Sequence, residues 1–410
     1  MSIASNALAQ APAPAIPVSA HRVVRVGNVE IPYRVAWAET VLKDADGAPQ
    51  ATISATSYLR EDVRARERRP VIFAFNGGPG ASSSPPHFSL LGPRRLTNPD
   101  AGGARTFVDN GETLLDVAEL LLIDPVGTGF SRELRPGGGR AYWNPTGDAR
   151  AAQTLVRNWL RDNGRSDSPL YFIGESYGGY RLAEMAKDIG DLNIAGLIFI
   201  SPLTDRSGTG GAGNDQGFIF DLPSMAATTF AHGKIKTEGR SVEQVFEEAR
   251  AFAQGEYAVG LQQGAELSTA ERDRLAERMS KMIGLPAATI AAANLRVNNQ
   301  DFLELLVPGK IVGRIDTRVT APRPDGPLIA GRSKAADDPA LRLGASNVRK
   351  SVWIRDYLSN EAGAPTDIDY VSLTLEVNFA WDWRSESPKI EDNRYFNPTP
   401  NVAKLMKQLP

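Results

Sequence analysis

The sequence predicts a three-layer α/β protein: a mostly parallel central sheet, flanking helices and a mainly helical insertion. Three observations predict it. First, VIFAF (71–75), LLLID (120–124), LYFIG (170–174) and IAGLIFI (194–200) are short, continuous apolar runs, the composition of strands covered on both faces. Second, helical stretches lie between these runs. Residues 146–161 carry Ala151, Leu155 and Leu160 at helical spacing, and YRLAEMAKDIG (180–190) ends in glycine. Such an alternation argues for helices on both faces of a sheet. Third, residues 218 to about 360 turn mainly helical. Ser241 to Gln244 and Ser268 to Glu271 each fit a capping box, and Leu275, Met279 and Met282 trace one apolar face that reads as core.

The remaining elements follow in order. Residues 1–20 are Ala/Pro-rich and expected to be disordered. The stretches 21–42 and 51–60 are rich in Val, Ile, Tyr and Thr and read as strands, separated by the polar turn KDADGAPQ. DRSGTGGAGNDQG (205–217) reads as a flexible loop. Its glycines do not lead directly into a helix start, which argues against a phosphate cradle. The expected organisation is a tail at 1–20, a core at 21–204, a helical cap at 205–365 and a return segment at 366–410.

Composition narrows the chemistry. The chain has 410 residues, a formal net charge of -2, no cysteine and three histidines. The charge gives no reason to expect nucleic-acid or anionic-membrane binding. REDVRARERR (60–69) mixes five arginines with Glu61, Asp62 and Glu67 and reads as a solvated loop. Without cysteine there are no disulfides, thiolate metal sites or Cys nucleophiles. No metal or other cofactor is expected, and no apolar run approaches the length of a bilayer span. Ala7-Leu8-Ala9 has the small-residue character of the end of an export signal, but no basic or apolar region precedes it. Two expectations stay open: an exported, periplasmic or secreted protein whose true start lies further upstream, or a chance likeness in an Ala-rich tail, which leaves a cytoplasmic location open.

The chemistry centres on GESYGGYR (174–181). Its G-x-S-x-G spacing alone also fits a tight Gly/Ser turn. Here an apolar strand enters the motif and an amphipathic helix leaves it, the context of a nucleophile elbow presenting Ser176. Acyl transfer also needs backbone N–H groups aimed at the developing oxyanion. One is expected from Tyr177 and the other from the loop FNGGPGASSS (75–84), at Gly77-Gly78. A third motif, DPVGTGFS (124–131), again follows an apolar strand.

In this order, NGGPGASS, DPVGTGFS and GESYGG resemble the serine carboxypeptidases over roughly residues 21 to 405, including WDW at 381–383. The lack of cysteine is similar to the bacterial branch rather than to disulfide-rich eukaryotic members. The resemblance implies an α/β-hydrolase fold, Ser176 as nucleophile, and Gly78 and Tyr177 as oxyanion donors. It implies that Asn76 and Glu175, beside Gly77, hold the free C-terminal carboxylate of a peptide substrate. Glu175 can donate to a carboxylate only when protonated, so activity should fall as it ionises.

A serine also needs a base. The resemblance implies an Asp and a His after the cap, and no such pair follows it here. His232 falls early in the cap, His87 follows the glycine loop without a base role, and His21 opens the first strand. Asp205 has no histidine to orient, and Asp382 between two tryptophans reads as structural. The expectations left open are a C-terminally truncated, poorly active carboxypeptidase, a non-catalytic binder of peptide C-termini, and another hydrolase such as an esterase.

Overall fold

The computed structural model describes residues 19–97, 105–204, 214–324, 334–343, 346–383 and 397–409. The tail at 1–18, with its export-signal features, and most of the glycine-rich loop lie outside them. Ser19 and Ala20, assigned to the tail from sequence, already belong to the first strand.

A seven-stranded sheet organises the first of two compact units, which takes in the described residues up to Leu203, from Lys350 to 383 and from Pro400 onward. Its strands are β1 (Ser19–Val26), β2 (Val29–Lys43), β3 (Pro49–Arg60), β4 (Val71–Phe75), β5 (Glu119–Asp124), β6 (Leu170–Glu175) and β7 (Ile194–Ile200). They lie in the order β1-β2-β3-β5-β4-β6-β7. The first three are antiparallel, and β5, β4, β6 and β7 run parallel. Parallel strands need long crossovers, and helices α1 (Pro145–Asp162) and α2 (Tyr177–Met185) lie in them.

Every residue of β4 and β5 is buried. Successive side chains point to opposite faces. Accordingly Val71, Phe73 and Phe75 join Leu121 and Ile123 in a core with Leu155 of α1 and Leu182 of α2. Ile72, Ala74, Leu120 and Leu122 enter a second core with Ile354 and Leu358 of the helix Val352–Ala362. That two-sided burial is why these strands read as unbroken apolar runs.

Two local expectations change. IAGLIFI forms β7, but at the sheet edge, where only Ile194 is fully buried and Ile198 is 41% exposed. The helix expected over 180–190 begins at Tyr177, directly after the serine, and ends at Met185. Among the short strands that the sequence did not reveal is β8 (Val371–Thr374), whose residues bridge to Ala81 and Gly129 in the two motif loops.

The second unit takes in the described residues from Thr204 to Arg349 and 397–399. Helices α3 (Gln216–Ala231), α4 (Val242–Phe252) and α5 (Thr269–Ile283) share one core. Ser241 and Gln244 form a reciprocal capping box at the start of α4. Leu275, Met279 and Met282 are buried in that core. Among the described residues, no helix is long and apolar enough to cross a membrane.

Candidate active site

Because β4, β5 and β6 are parallel, their C-terminal ends open on one edge of the sheet, and each of the three motifs follows one of them. Ser176 stands between β6 and α2 with φ 56° and ψ -124°, a left-handed conformation that L-residues avoid. Such a residue stores about 1–3 kcal/mol of strain unless its surroundings over-determine it. They do here. The Ser176 N–H donates to the Ile200 carbonyl at 3.0 Å, and the Ser176 carbonyl accepts from Gly179 and Leu203, both at 2.9 Å. The flanking glycines answer a steric demand. A Cβ on Gly174 would meet the Gly178 carbonyl carbon at 2.6 Å, and one on Gly178 would lie 2.9 Å from the Phe75 oxygen. The result is an exposed serine hydroxyl at the head of a helix.

The glycine loop after β4 lies against that helix. A Cβ on Gly77 would come within 2.8 Å of the Tyr177 Cα and collide with the Tyr177 nitrogen. Gly78, at φ 103°, turns the loop as a residue with a side chain would not. The N–H groups of Gly78 and Tyr177 donate to no other group among the described residues.

Strand register brings Asn76 and Glu175 together. Phe75 pairs with Gly174, so the next residue on each strand sits side by side with its neighbour at the sheet edge. Asn76 is buried and braces its own loop. Its Oδ1 accepts the Gly77 N–H at 2.8 Å and its Nδ2 donates to the Ser82 carbonyl at 3.2 Å. Glu175 is half-buried, and burial raises its pKa above the ordinary carboxylate value.

Several residues of the site went unassigned from sequence. Arg181, only 1% exposed, donates from Nε to Asp148 Oδ2 and from one terminal nitrogen to the Asn76 carbonyl, both at 2.6 Å. Its guanidinium lies over the rings of Phe75 at 4.9 Å and Tyr177 at 5.3 Å. Burial raises the Asp148 pKa while Arg181 opposes the shift. The Tyr177 hydroxyl faces the same carboxyl without reaching hydrogen-bond geometry. Asp124, in the middle motif, accepts from the Ser83 N–H at 2.8 Å and the Tyr370 hydroxyl at 3.2 Å. Burial pushes its pKa up to about 7. Trp381 and Trp383 pack edge-on against Tyr177, at 5.1 and 5.6 Å.

All three histidines are engaged elsewhere. His87 is buried, its Nε2 2.6 Å from the Tyr58 hydroxyl and its ring stacked on Phe88, and burial lowers its pKa to about 3. That is a packing histidine, neutral at any ordinary pH. His232 pairs through Nε2 with the Thr317 carbonyl at 2.6 Å, and His21 with Glu61. Asp205 lies outside the described residues. The Asp382 N–H donates to the Trp143 carbonyl. Among the described residues there is no cluster of three His, Asp or Glu side chains suited to a metal ion.

The sequence model of the serine carboxypeptidase family matches residues 57–205, the stretch that carries all three motifs. Serine carboxypeptidase-like 36 of Arabidopsis thaliana is 28% identical over 192 residues, 44% of this chain and 36% of the relative. Pheromone-processing carboxypeptidase KEX1 of Metarhizium acridum is 37% identical over 141 residues, 33% of this chain and 21% of the relative. The aligned stretches thus span about a third or less of those relatives. The crystal structure of a prohormone-processing carboxypeptidase from Saccharomyces cerevisiae superposes with a TM-score of 0.51 at 14% identity, covering 92% of this chain and 71% of that one. At that identity the likeness concerns the fold.

Proposed function

We propose that this chain, which matches the serine carboxypeptidase family over residues 57–205 and has the α/β-hydrolase fold, recognises in its cleft the free C-terminus of a peptide and presents the last peptide bond to Ser176. The observation that carries the reading is the adjacency of Asn76, Glu175 and Ser176 at the ends of two paired strands. The Asn76 amide and a protonated Glu175 would hold the terminal carboxylate. Attack by the Ser176 hydroxyl on the neighbouring carbonyl would form a tetrahedral oxyanion facing the Gly78 and Tyr177 N–H groups. Collapse would release the terminal amino acid and leave an acyl-serine for water to hydrolyse.

A second reading has its own support. Attack requires the Ser176 proton to leave, and each of the chain's three histidines is occupied elsewhere. The chain by itself is then chiefly a binder of peptide C-termini, with the residual catalysis, roughly 10³-fold over water, that binding and oxyanion stabilisation supply without a triad.

The discriminating measurement pairs one peptide with a free and an amidated C-terminus. We expect the free peptide to bind at least about tenfold more tightly by fluorescence anisotropy, the worth of one charge-assisted hydrogen bond. Equal affinities, with hydrolysis of simple esters, would instead point to an esterase. Fluorophosphonate labelling, with Ser176→Ala as blank, separates the other two readings. Slow labelling fits a serine without a base, and rapid labelling fits an activated one.

The pH dependence has a definite sign. Glu175 donates only when protonated, and burial lifts its pKa. Affinity for the free C-terminus is therefore full below that raised value and lost as pH climbs through it. Glu175→Gln, which donates at every pH, should flatten the profile. A wild-type affinity constant from mildly acidic to neutral pH would remove Glu175 from the carboxylate site.

A further inference from the structure

Arg181 sits one turn beyond the nucleophile, where a charged residue on an amphipathic helix ordinarily faces water. Instead it is among the largest fully buried side chains in the chain. What it holds there is specific. The Asn76–Gly77 peptide is pinned at both ends: its oxygen accepts from Arg181 at 2.6 Å, and its N–H donates to Asn76 Oδ1 at 2.8 Å. A peptide plane held at both ends cannot flip. The plane that follows it, in a loop of glycines, carries the Gly78 N–H. On its other side Arg181 is anchored to Asp148 of α1, and its flat face lies against Phe75 of β4 and against Tyr177, the second donor.

We propose that Arg181 is the positioning residue of this site: one guanidinium ties the glycine loop, the head of α2 and α1 together, and so fixes the two unpaired N–H groups relative to each other. The inference rests on the proposed role of those groups, but the clamp itself is a physical property of the loop. A guanidinium suits the task because its fork sends hydrogen bonds in two directions while its plane packs between aromatic faces. An ammonium provides the charge without that geometry.

The test is hydrogen exchange, read by mass spectrometry on the full chain and on Arg181→Lys. Lysine keeps a cation for Asp148 and loses the planar fork. We expect fragments covering 75–82 and 176–180 to exchange about tenfold faster, while fragments of β2 and β3 keep wild-type rates. Unchanged exchange over 75–82 in a folded variant would overturn the proposal. So would an equal acceleration across the whole sheet, because that is what a merely stabilising ion pair produces. Should Arg181→Lys fail to fold, Asp148→Asn, which retains the fork and weakens its anchor, makes the same comparison with a smaller local increase expected. The peptide pair and fluorophosphonate labelling of the wild type keep the two readings apart. If the free and amidated peptides bind equally but the exchange difference appears, the reading of function fails and the clamp stands. If Ser176 labels and Arg181→Lys changes neither labelling rate nor local exchange, the clamp fails and the reading of function stands.

Discussion

Asp148→Ala is expected to destabilise the sheet unit by about 3–5 kcal/mol, because it strands a guanidinium that cannot shed its proton. Asp148 and Arg181 are both almost wholly buried and meet at 2.6 Å. An exposed pair of that length would contribute under about 1 kcal/mol, because water supplies most of what the partner provides. Here no water replaces the lost carboxylate, so the loss is set by desolvation. The melting temperature should fall by roughly 6–10 °C. Asp148→Asn, which still accepts a hydrogen bond, should lose about half as much, consistent with the larger worth of bonds to charged partners. A fall of less than about 1 kcal/mol for the alanine variant would mean that Arg181 is hydrated in solution.

Gly77→Ala is expected to do less to stability and more to the site. The added methyl meets backbone atoms of Tyr177, including the Cα at 2.8 Å, and backbone cannot rotate away as a side-chain tip can. The loop must then withdraw from α2, separating the Gly78 and Tyr177 N–H groups. Overpacking of this kind costs about 1–3 kcal/mol. Losing a single oxyanion donor costs about 10²–10³ in rate. Labelling of Ser176 should therefore fall by about that factor, and affinity for a free C-terminus should fall with it, since Asn76 adjoins the displaced residue. A well-folded Gly77→Ala chain that labels like wild type would show that Gly78 and Tyr177 do not act as a pair.

Much of this arrangement was legible because each feature leaves a local mark. Residues such as Phe73 and Leu121 meet a covered face on either side, so β4 and β5 read as unbroken apolar runs. Gly174 and Gly178 sit where a Cβ would strike a neighbouring backbone, so the elbow leaves a spacing. What escaped notice depends on distant partners. Arg181 and Asp148 each look like solvent-facing residues on their own helices, and only the packing of α1 against α2 makes them a buried pair. Asp124 lies within a motif, but its role does not show in the sequence, since its partners Ser83 and Tyr370 come from other elements. Four residues of β8 give too short an alternation to read as a strand. The run IAGLIFI misled in the opposite sense, because an apolar run does not announce whether the sheet continues beyond it.

The bridges from β8 carry a consequence for how the protein is made. Leu373 pairs with Ala81 and Val371 with Gly129, and the Tyr370 hydroxyl reaches Asp124 across 246 residues of chain. Ribosomes deliver both loops long before they deliver β8. Until residue 374 has emerged, each loop lacks its final backbone partners, and closing so long a loop must precede the contacts that reward it. A nascent chain therefore carries its serine without a finished cleft around it from residue 176 until β8 emerges. For a protein whose proposed substrate is the end of a polypeptide, that order of events defers the assembly of the site until β8 has been made.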